Sequence, residues 1–506
     1  METGKRLLNW VKQRPLWGIL AVGLVIRLVN IQSRPIQYDD MFSFFLARRG
    51  LGEIISGTAA DTMPPLFYFI LHYWQMISQD VWFLRLLSVI FNLAAVALLY
   101  GLTRQLFGAQ TATWAAFLAA ISPFQFYHAQ DIRNYSFLLL TQLGFAWFAA
   151  RLWLRDQGEL SSGKQGWDWF GLIVCGAASL YTHNIAVLAL GMPNLFLLFK
   201  RRWRLFGKLV LAQLAIVVIN LPWLIMLPQQ VAKIQRAWWG QPPGFVDILQ
   251  SLIMVTSGLP LRGVWLAIGA LLSIETFALV VLILARQHSA EGKKGGLLYL
   301  VCFSLGLPAA IFAVSYIVKP IFVPRGFIVA SMTYYALVAA AIVRGWGNGA
   351  GKLVAAGFIL SALIGLPSQF NFGGFPRVQL DKATASIAAQ IQPGEVVVHD
   401  NKLSYFPAAY YAPGLPQVFV ADEPGSGNDT FAPASQEAMG IFPQPDLQTA
   451  VGNYSGVYFV VFSRTIAEYK DMGLENHPSL DWLEERYTLE RQENFRDLEV
   501  YYFVQR

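Results

Sequence analysis

TMPPLFYFILHYWQMI, residues 62–77, is the stretch on which the topology of this chain turns. It is apolar enough to be read as a crossing segment. If it crosses a bilayer, every loop after it changes sides. If it is a juxtamembrane or re-entrant helix, the strongly basic short loops fall on one side, as the positive-inside rule requires. That side then carries Lys5, Arg6, Lys12 and Arg14, then Arg104, then Arg151, Arg155 and Lys164. Lys200, Arg201, Arg202, Arg204 and Lys208 follow, then Arg286, Lys293, Lys294, Arg344 and Lys352. We therefore read 62–77 as non-crossing. Pro64 and Pro65 suit a first helical turn, where a missing N–H costs nothing. Broken backbone at membrane depth is tolerated where protein or a cavity surrounds it.

Composition sets the class. Of 506 residues, 55% are hydrophobic and only 14% charged, against about 25% charged in an ordinary soluble chain. Crossing a bilayer takes roughly 17–25 apolar residues in a helix. Spans are expected near 16–32, 83–103, 112–127, 134–152, 168–182, 184–199, 206–227, 263–285, 297–317, 327–343 and 353–369. The expected fold is a polytopic α-helical membrane protein of about 11 spans, within a range of 10–13, with a C-terminal soluble α/β domain. METGKRLLNWVKQRP, 1–15, is basic, and the apolar run after it has no small-residue cleavage site, so the first span is expected to be retained. The N-terminus is then cytoplasmic and the C-terminal domain extracytoplasmic. Cys175 and Cys302 lie in apolar segments without a CxxC partner and read as small core residues.

The net charge of +7 is a difference between two unlike parts. Residues 1–380 hold 30 Lys and Arg against 13 Asp and Glu, while 381–506 hold 8 against 18. A basic membrane part and an acidic tail imply two bodies. The basic charges are spread over inter-span loops, which argues against nucleic acid as a partner. The expected division is 1–370, a membrane domain with a long first outer loop at 33–82, and 371–506, a separate domain. In the second, a helix pattern near 380–391 alternates with EVVVHD, PQVFVA, GVYFVVFS and LEVYYFVQ, a small α/β arrangement. It has no GxGxxG, P-loop or cysteine.

Four segments on the outer side carry unusual polar residues. RPIQYDDMFSFF holds Asp39 and Asp40, adjacent carboxylates that are costly at a membrane edge and rarely needed for folding. SPFQFYHAQDIRNYS holds His128, Asp131, Arg133 and Tyr135; SLYTHN holds His183; VKPIFVPRGF holds Lys319 and Arg325. Arg85 follows the first outer loop. Each has a bland alternative, such as an interfacial ion pair, a cap, or a cation snorkelling to headgroups. Their common side favours a site.

These segments, in order, resemble one family. YDDMFSF, MPPLFYFILHYW, FLRLLSVIFNLAAVALLYGLTRQLFG, SPFQFYHAQDIRNYSFLLL and LYTHNIAVLAL resemble the C-type integral-membrane glycosyltransferases. The branch is that of protein O-mannosyltransferases and lipid A aminoarabinose transferases. The resemblance is close over 15–200 and looser to 345, where PRGFIVASMTYYALVA looks like the family's Arg-Tyr segment. Four positions depart from it. Asp40 and Asp131 stand where Glu is usual, Met63 where His or Lys is frequent, and Gly326 follows Arg325 in place of Tyr.

The resemblance implies a donor sugar on a polyprenyl phosphate and a lipid, glycan or protein acceptor, at the outer face of a bacterial plasma (inner) membrane. By motif position Asp39 is the general base that activates the acceptor hydroxyl, and a single in-line carboxylate implies inversion. Asp40 and Asp131 would orient it or bind sugar hydroxyls. Arg325, Lys319, Arg133 and Arg85 would bind the leaving phosphate, with Tyr135, His183 and His128 around the substrate. Asp39, Asp40 and Asp131 could hold a divalent cation if their loops meet; the branch largely works without one, and no metal or other cofactor is expected. Trp238, Trp239, Trp74 and Tyr73 read mainly as an interfacial aromatic belt.

The competing class is a lipid or oligosaccharide transporter or flippase. It predicts ionisable residues at mid-membrane and an internal repeat. Glu275, alone in a span, is the one feature that leans that way. A membrane scaffold with an outer binding module leaves the acidic pair unexplained.

Overall fold

Eleven helices in the computed structural model match the eleven expected spans. The structure describes residues 15–160, 163–236, 240–286, 295–371, 378–426 and 428–506. Lys5, Arg6, Lys12, Arg14, Trp238, Trp239, Lys293 and Lys294 lie outside the described residues. Seven of the helices are long and apolar enough to cross a membrane: Val81–Phe107, Tyr135–Asp156, Trp203–Leu224, Val264–Arg286, Gly296–Ile317, Pro324–Arg344 and Ala350–Phe370. The others, Pro15–Leu28, Ala109–Ile121, Gln165–Leu180 and Ala186–Phe199, have 13 to 16 residues.

The deciding stretch forms a helix of only 10 residues, Leu66–Gln75. At 1.5 Å per residue it is about 15 Å long, half of a hydrocarbon core. It ends on a clamp: Trp74 stacks on Phe83 at 4.6 Å and donates to its carbonyl at 2.8 Å. Trp74 is thus a packing residue, whereas Tyr73 is exposed.

The chain divides into two compact units. The first comprises the described parts of 1–32, 62–235 and 240–373. Its core is built where Val81–Phe107 packs on Tyr135–Asp156 and where the Ile328–Arg344 helix packs on Ala109–Ile121. A polar network runs through this apolar body. Arg27, fully buried, donates to Asn92 Oδ1 at 2.9 Å and to the carbonyl of Ala120 at 2.8 Å. Asn92 donates to Gln125 Oε1 at 3.0 Å, and Gln125 to Ser331 Oγ at 2.7 Å. Buried polar groups need such partners, because an unmet one costs roughly 1–3 kcal/mol. The network fixes the short helix Pro123–Ala129, which Pro123 separates from Ala109–Ile121 and which Ser122 Oγ caps at Gln125 N. Glu275 lies mid-helix on the exposed face of Val264–Arg286, not on a side turned into the unit.

The second unit comprises 33–61 and the described part of 374–506. The expected outer loop 33–82 is therefore split, its first part clustering with the tail. A five-stranded sheet has the order β2-β1-β3-β5-β4: β1 Glu395–His399, β2 Gln417–Phe419, β3 Gly456–Phe462, β4 Tyr487–Asn494 and β5 Leu498–Gln505. β1 is parallel to β2 and β3, while β5 is antiparallel to β3 and β4. The parallel pair β1 and β3 is buried on both faces, so these two strands read as continuous apolar runs. Val396 and Val398 face one core with Phe459 and Leu483; Val397 faces the other with Ile387 and Ala408.

Past β1, Asp400 Oδ1 lies 3.3 Å from His477 Nε2. Burial pushes the Asp400 carboxyl from 3.8 up to about 6, and pushes His477 down to about 4. For Asp400 the native state keeps a proton that the unfolded chain loses between pH 4 and 6, so its penalty is complete above pH 6 and absent below pH 4. Two pH units correspond to about 3 kcal/mol. Asp400→Asn is expected to raise the thermal midpoint at pH 7.5, with the gain vanishing toward pH 4. An equal gain at both pH values would contradict the assignment.

Candidate active site

The two expected carboxylates are not equivalent. They open the helix Tyr38–Ala47 in the second unit, Asp39 half-buried and Asp40 buried. Asp40 Oδ2 accepts the Gln37 N–H at 3.2 Å, which caps the helix start. Ser43 Oγ donates to the Asp39 carbonyl at 2.9 Å, so the Asp39 side chain is not used in that contact.

Aromatic packing holds this helix to the rest of its unit. The Tyr38 ring meets Phe406 edge-on at 5.0 Å, Phe44 meets Tyr410 at 5.3 Å and Phe42 meets Phe431 at 6.3 Å. Such pairs contribute about 0.5–1.5 kcal/mol each beyond area burial. The next helix, Leu51–Ala60, is held closer still. A Cβ on Gly57 would stand 2.7 Å from Leu46 Cδ1 and 3.0 Å from Ala438 Cβ, and the Gly57 carbonyl accepts from Ser435 Oγ at 2.9 Å.

The other expected residues belong to the first unit, and several converge. His128 Nδ1 lies 3.1 Å from Asp131 Oδ2. The His128 and Tyr135 rings are 5.4 Å apart, and the Arg325 guanidinium lies over the Tyr135 ring at 5.6 Å. His183 sits in the turn between Gln165–Leu180 and Ala186–Phe199. Burial, then the positive charges of Arg325 and Arg133, push it down to about 3. It is therefore neutral at physiological pH. Its Nδ1 accepts the Ile185 N–H at 3.2 Å, which leaves the ring proton on Nε2 as a donor. The charges of Arg325 and Arg133 thus reach the His183 ring, though weaker in effect than its burial.

Local sequence explains the convergence. Asn134 donates to the Thr182 carbonyl at 2.8 Å, and Asn184 to the Thr62 carbonyl at 3.0 Å and Gln230 Oε1 at 2.8 Å. Leu66 N donates to the Tyr181 carbonyl at 3.1 Å. The stretches near 62, 134 and 182 are thus tied together. Gly326 lets the Arg325 turn approach, since a Cβ there would stand 3.0 Å from Ile185 Cδ1. A larger side chain there would require the Ile185 end to shift. Met63, another of the departures, lies 3.6 Å from Asn134 Nδ2 through its sulfur.

Two expected residues have a different setting. Arg85 is fully buried and donates to the Ile31 carbonyl at 2.7 Å. Lys319 is half-buried and, among the described residues, makes no ion pair. Among the described residues no three His, Cys, Asp or Glu converge as metal ligands. Sequence reading missed Lys402, whose Nζ lies 5.9 Å from the Tyr38 ring centre. The available signal was its place just past the carboxyl end of a parallel strand, where α/β sheets put functional groups.

Residues 62–226 match a family model described as dolichyl-phosphate-mannose-protein mannosyltransferase. Among curated proteins none matches the chain. ArnT from Cupriavidus metallidurans in the apo state shares its fold, with a TM-score of 0.66 and 14% identity over 98% of this chain and 98% of that chain. The same protein bound to undecaprenyl phosphate aligns with a TM-score of 0.64 and 14% identity, again over 98% of each chain. The oligosaccharyltransferase of Archaeoglobus fulgidus in the apo form gives 0.55 and 12% identity, covering 95% of this chain and 73% of that one. The resemblance carried by the motifs is borne out in the family match and in the fold.

Proposed function

We propose that this membrane glycosyltransferase moves a sugar from a polyprenyl-phosphate donor to an acceptor hydroxyl at the outer membrane face, with inversion and with Asp39 as general base. The observation that carries the reading is a polar cluster of cation and carboxylate: Arg325 lies over the Tyr135 ring at 5.6 Å, that ring is 5.4 Å from His128, and His128 Nδ1 is 3.1 Å from Asp131 Oδ2. The fold adds support, because a protein with the same fold has been solved with undecaprenyl phosphate. The acceptor oxygen attacks the anomeric carbon and its proton passes to Asp39. The bond from that carbon to the phosphate oxygen breaks, and the lipid phosphate leaves as an anion. That leaving group is stable, so cations serve better than a strong acid. Arg325 and Arg133 neutralise it, and the His183 Nε2–H donates to it or to the sugar. Asp131, held by His128, takes sugar hydroxyls. No step is assigned to a metal ion.

The test uses purified protein, a radiolabelled polyprenyl-phosphate sugar and candidate acceptors, with release of free polyprenyl phosphate as the readout. No release above the protein-free control, or a product of retained configuration, would overturn the reading. The proposed site is the outer face of a bacterial plasma membrane. A cysteine replacing exposed Gln79 is expected to react with an impermeant thiol reagent in intact cells, and one replacing exposed Lys164 only after permeabilisation. The reverse pattern would invert the topology.

A further inference from the structure

We infer that Lys402, in the C-terminal part of the chain, is a positioning residue for Asp39; this rests on the reading of Asp39 as the base. Lys402 is 3% exposed. Its ammonium pairs with Asp422 Oδ2, donates to the Asn428 carbonyl and faces the Tyr38 ring. Three features make it a costly choice for packing alone. A buried ion pair is often no more stable than apolar side chains of the same volume. Lys402 is the first residue of the helix Lys402–Tyr411, the end at which a cation is disfavoured. That helix start is already capped, since Asn401 Oδ1 accepts the Leu403 N–H at 2.9 Å.

What the ammonium does there is hold a ring. Tyr38 sits between Phe406 at 5.0 Å and Phe42 at 6.0 Å, with the Lys402 ammonium over its ring at 5.9 Å. A cation over an aromatic face contributes about 0.5–2 kcal/mol, most where water is excluded. Tyr38 is the residue before Asp39. Asp40, the residue after it, is tied to Gln37 N. The Asp39 backbone is thus gripped on both sides, and its carboxylate has fewer orientations open to it. The C-terminal part is then a component of the catalytic apparatus and not only a docking module. Pre-organisation of this kind acts on turnover more than on donor binding, because it sets the direction of a proton acceptor.

The test compares Lys402→Met, which keeps length and apolar stem, with Lys402→Arg, which keeps the charge. Lys402→Met is expected to lower kcat by about 10–100-fold, with the donor KM within threefold, and to raise amide hydrogen exchange in residues 38–47. Lys402→Arg is expected to recover most of the kcat. If Lys402→Met keeps full kcat, or loses activity only in proportion to folded protein with 38–47 exchange unchanged, the proposal is overturned. Asp39→Asn, measured in parallel, separates the two ideas. Full activity in that variant removes the base assignment, whereas an inactive Asp39→Asn beside a fully active Lys402→Met removes only the role of Lys402.

Discussion

Asp39→Asn is expected to cut kcat by about 10²–10⁴-fold while leaving donor affinity within about threefold. The reason is chemical. An acceptor hydroxyl keeps its proton at neutral pH and attacks carbon slowly until a positioned base takes that proton. Asparagine has nearly the same shape as aspartate but cannot accept it. The geometry should survive, because the helix start is held by the Asp40 cap, the Ser43 contact to the Asp39 carbonyl and the Tyr38 packing, none of which uses the Asp39 carboxylate. Asp40→Asn is the informative companion. Its remaining side-chain oxygen can still accept from Gln37 N, so a smaller loss is expected there. Initial rates of polyprenyl-phosphate release at saturating donor decide the matter. More than a tenth of wild-type kcat in Asp39→Asn, or a greater loss in Asp40→Asn, would reassign the base.

The parts of this fold that sequence exposes are those dictated by local patterns. Span positions follow from hydropathy, and Leu66–Gln75, at 10 residues, is too short to cross, in keeping with the charge pattern. Four strands are apparent because they are apolar. β4, YTLERQEN, is not, since it is an edge strand with most side chains in solvent and polar groups that blunt its free edge. The split of the first outer loop was hidden for another reason. It depends on contacts such as Tyr38 with Phe406, more than 360 residues apart in the chain, and no periodicity encodes a pairing at that separation. The site was partly legible. Motifs nominated Arg325 and His183, but Gly326, which sits against Ile185 next to the His183 turn, as a sequence feature read only as a departure from the family pattern. Lys402 was invisible because a lysine at a helix start looks like surface until its burial is known.

Arg325→Met is expected to lower kcat by about 10²–10³-fold, the second largest effect, because it removes a fixed charge aimed at developing negative charge. Methionine keeps the apolar contact with the Tyr135 ring and deletes the guanidinium. Arg325→Lys is expected to recover little, since an ammonium is a point charge that cannot make two parallel bonds to a phosphate. Tyr135→Phe keeps a ring under the guanidinium at 5.6 Å and should cost under tenfold. The pH profile adds a second check. Arg325 is one of two cations that hold His183 down, but burial is the larger cause. Losing Arg325 therefore raises His183 from about 3 without returning it to its ordinary value near 6.5, and the imidazole stays neutral above pH 6.5 in wild type and variant alike. The fall in kcat should then be the same at pH 7 and pH 8, as expected when a charge on the leaving group is lost. A defect that shrinks as pH rises over that interval would show instead that Arg325 acts by keeping His183 deprotonated, and the phosphate role would have to pass to Arg133.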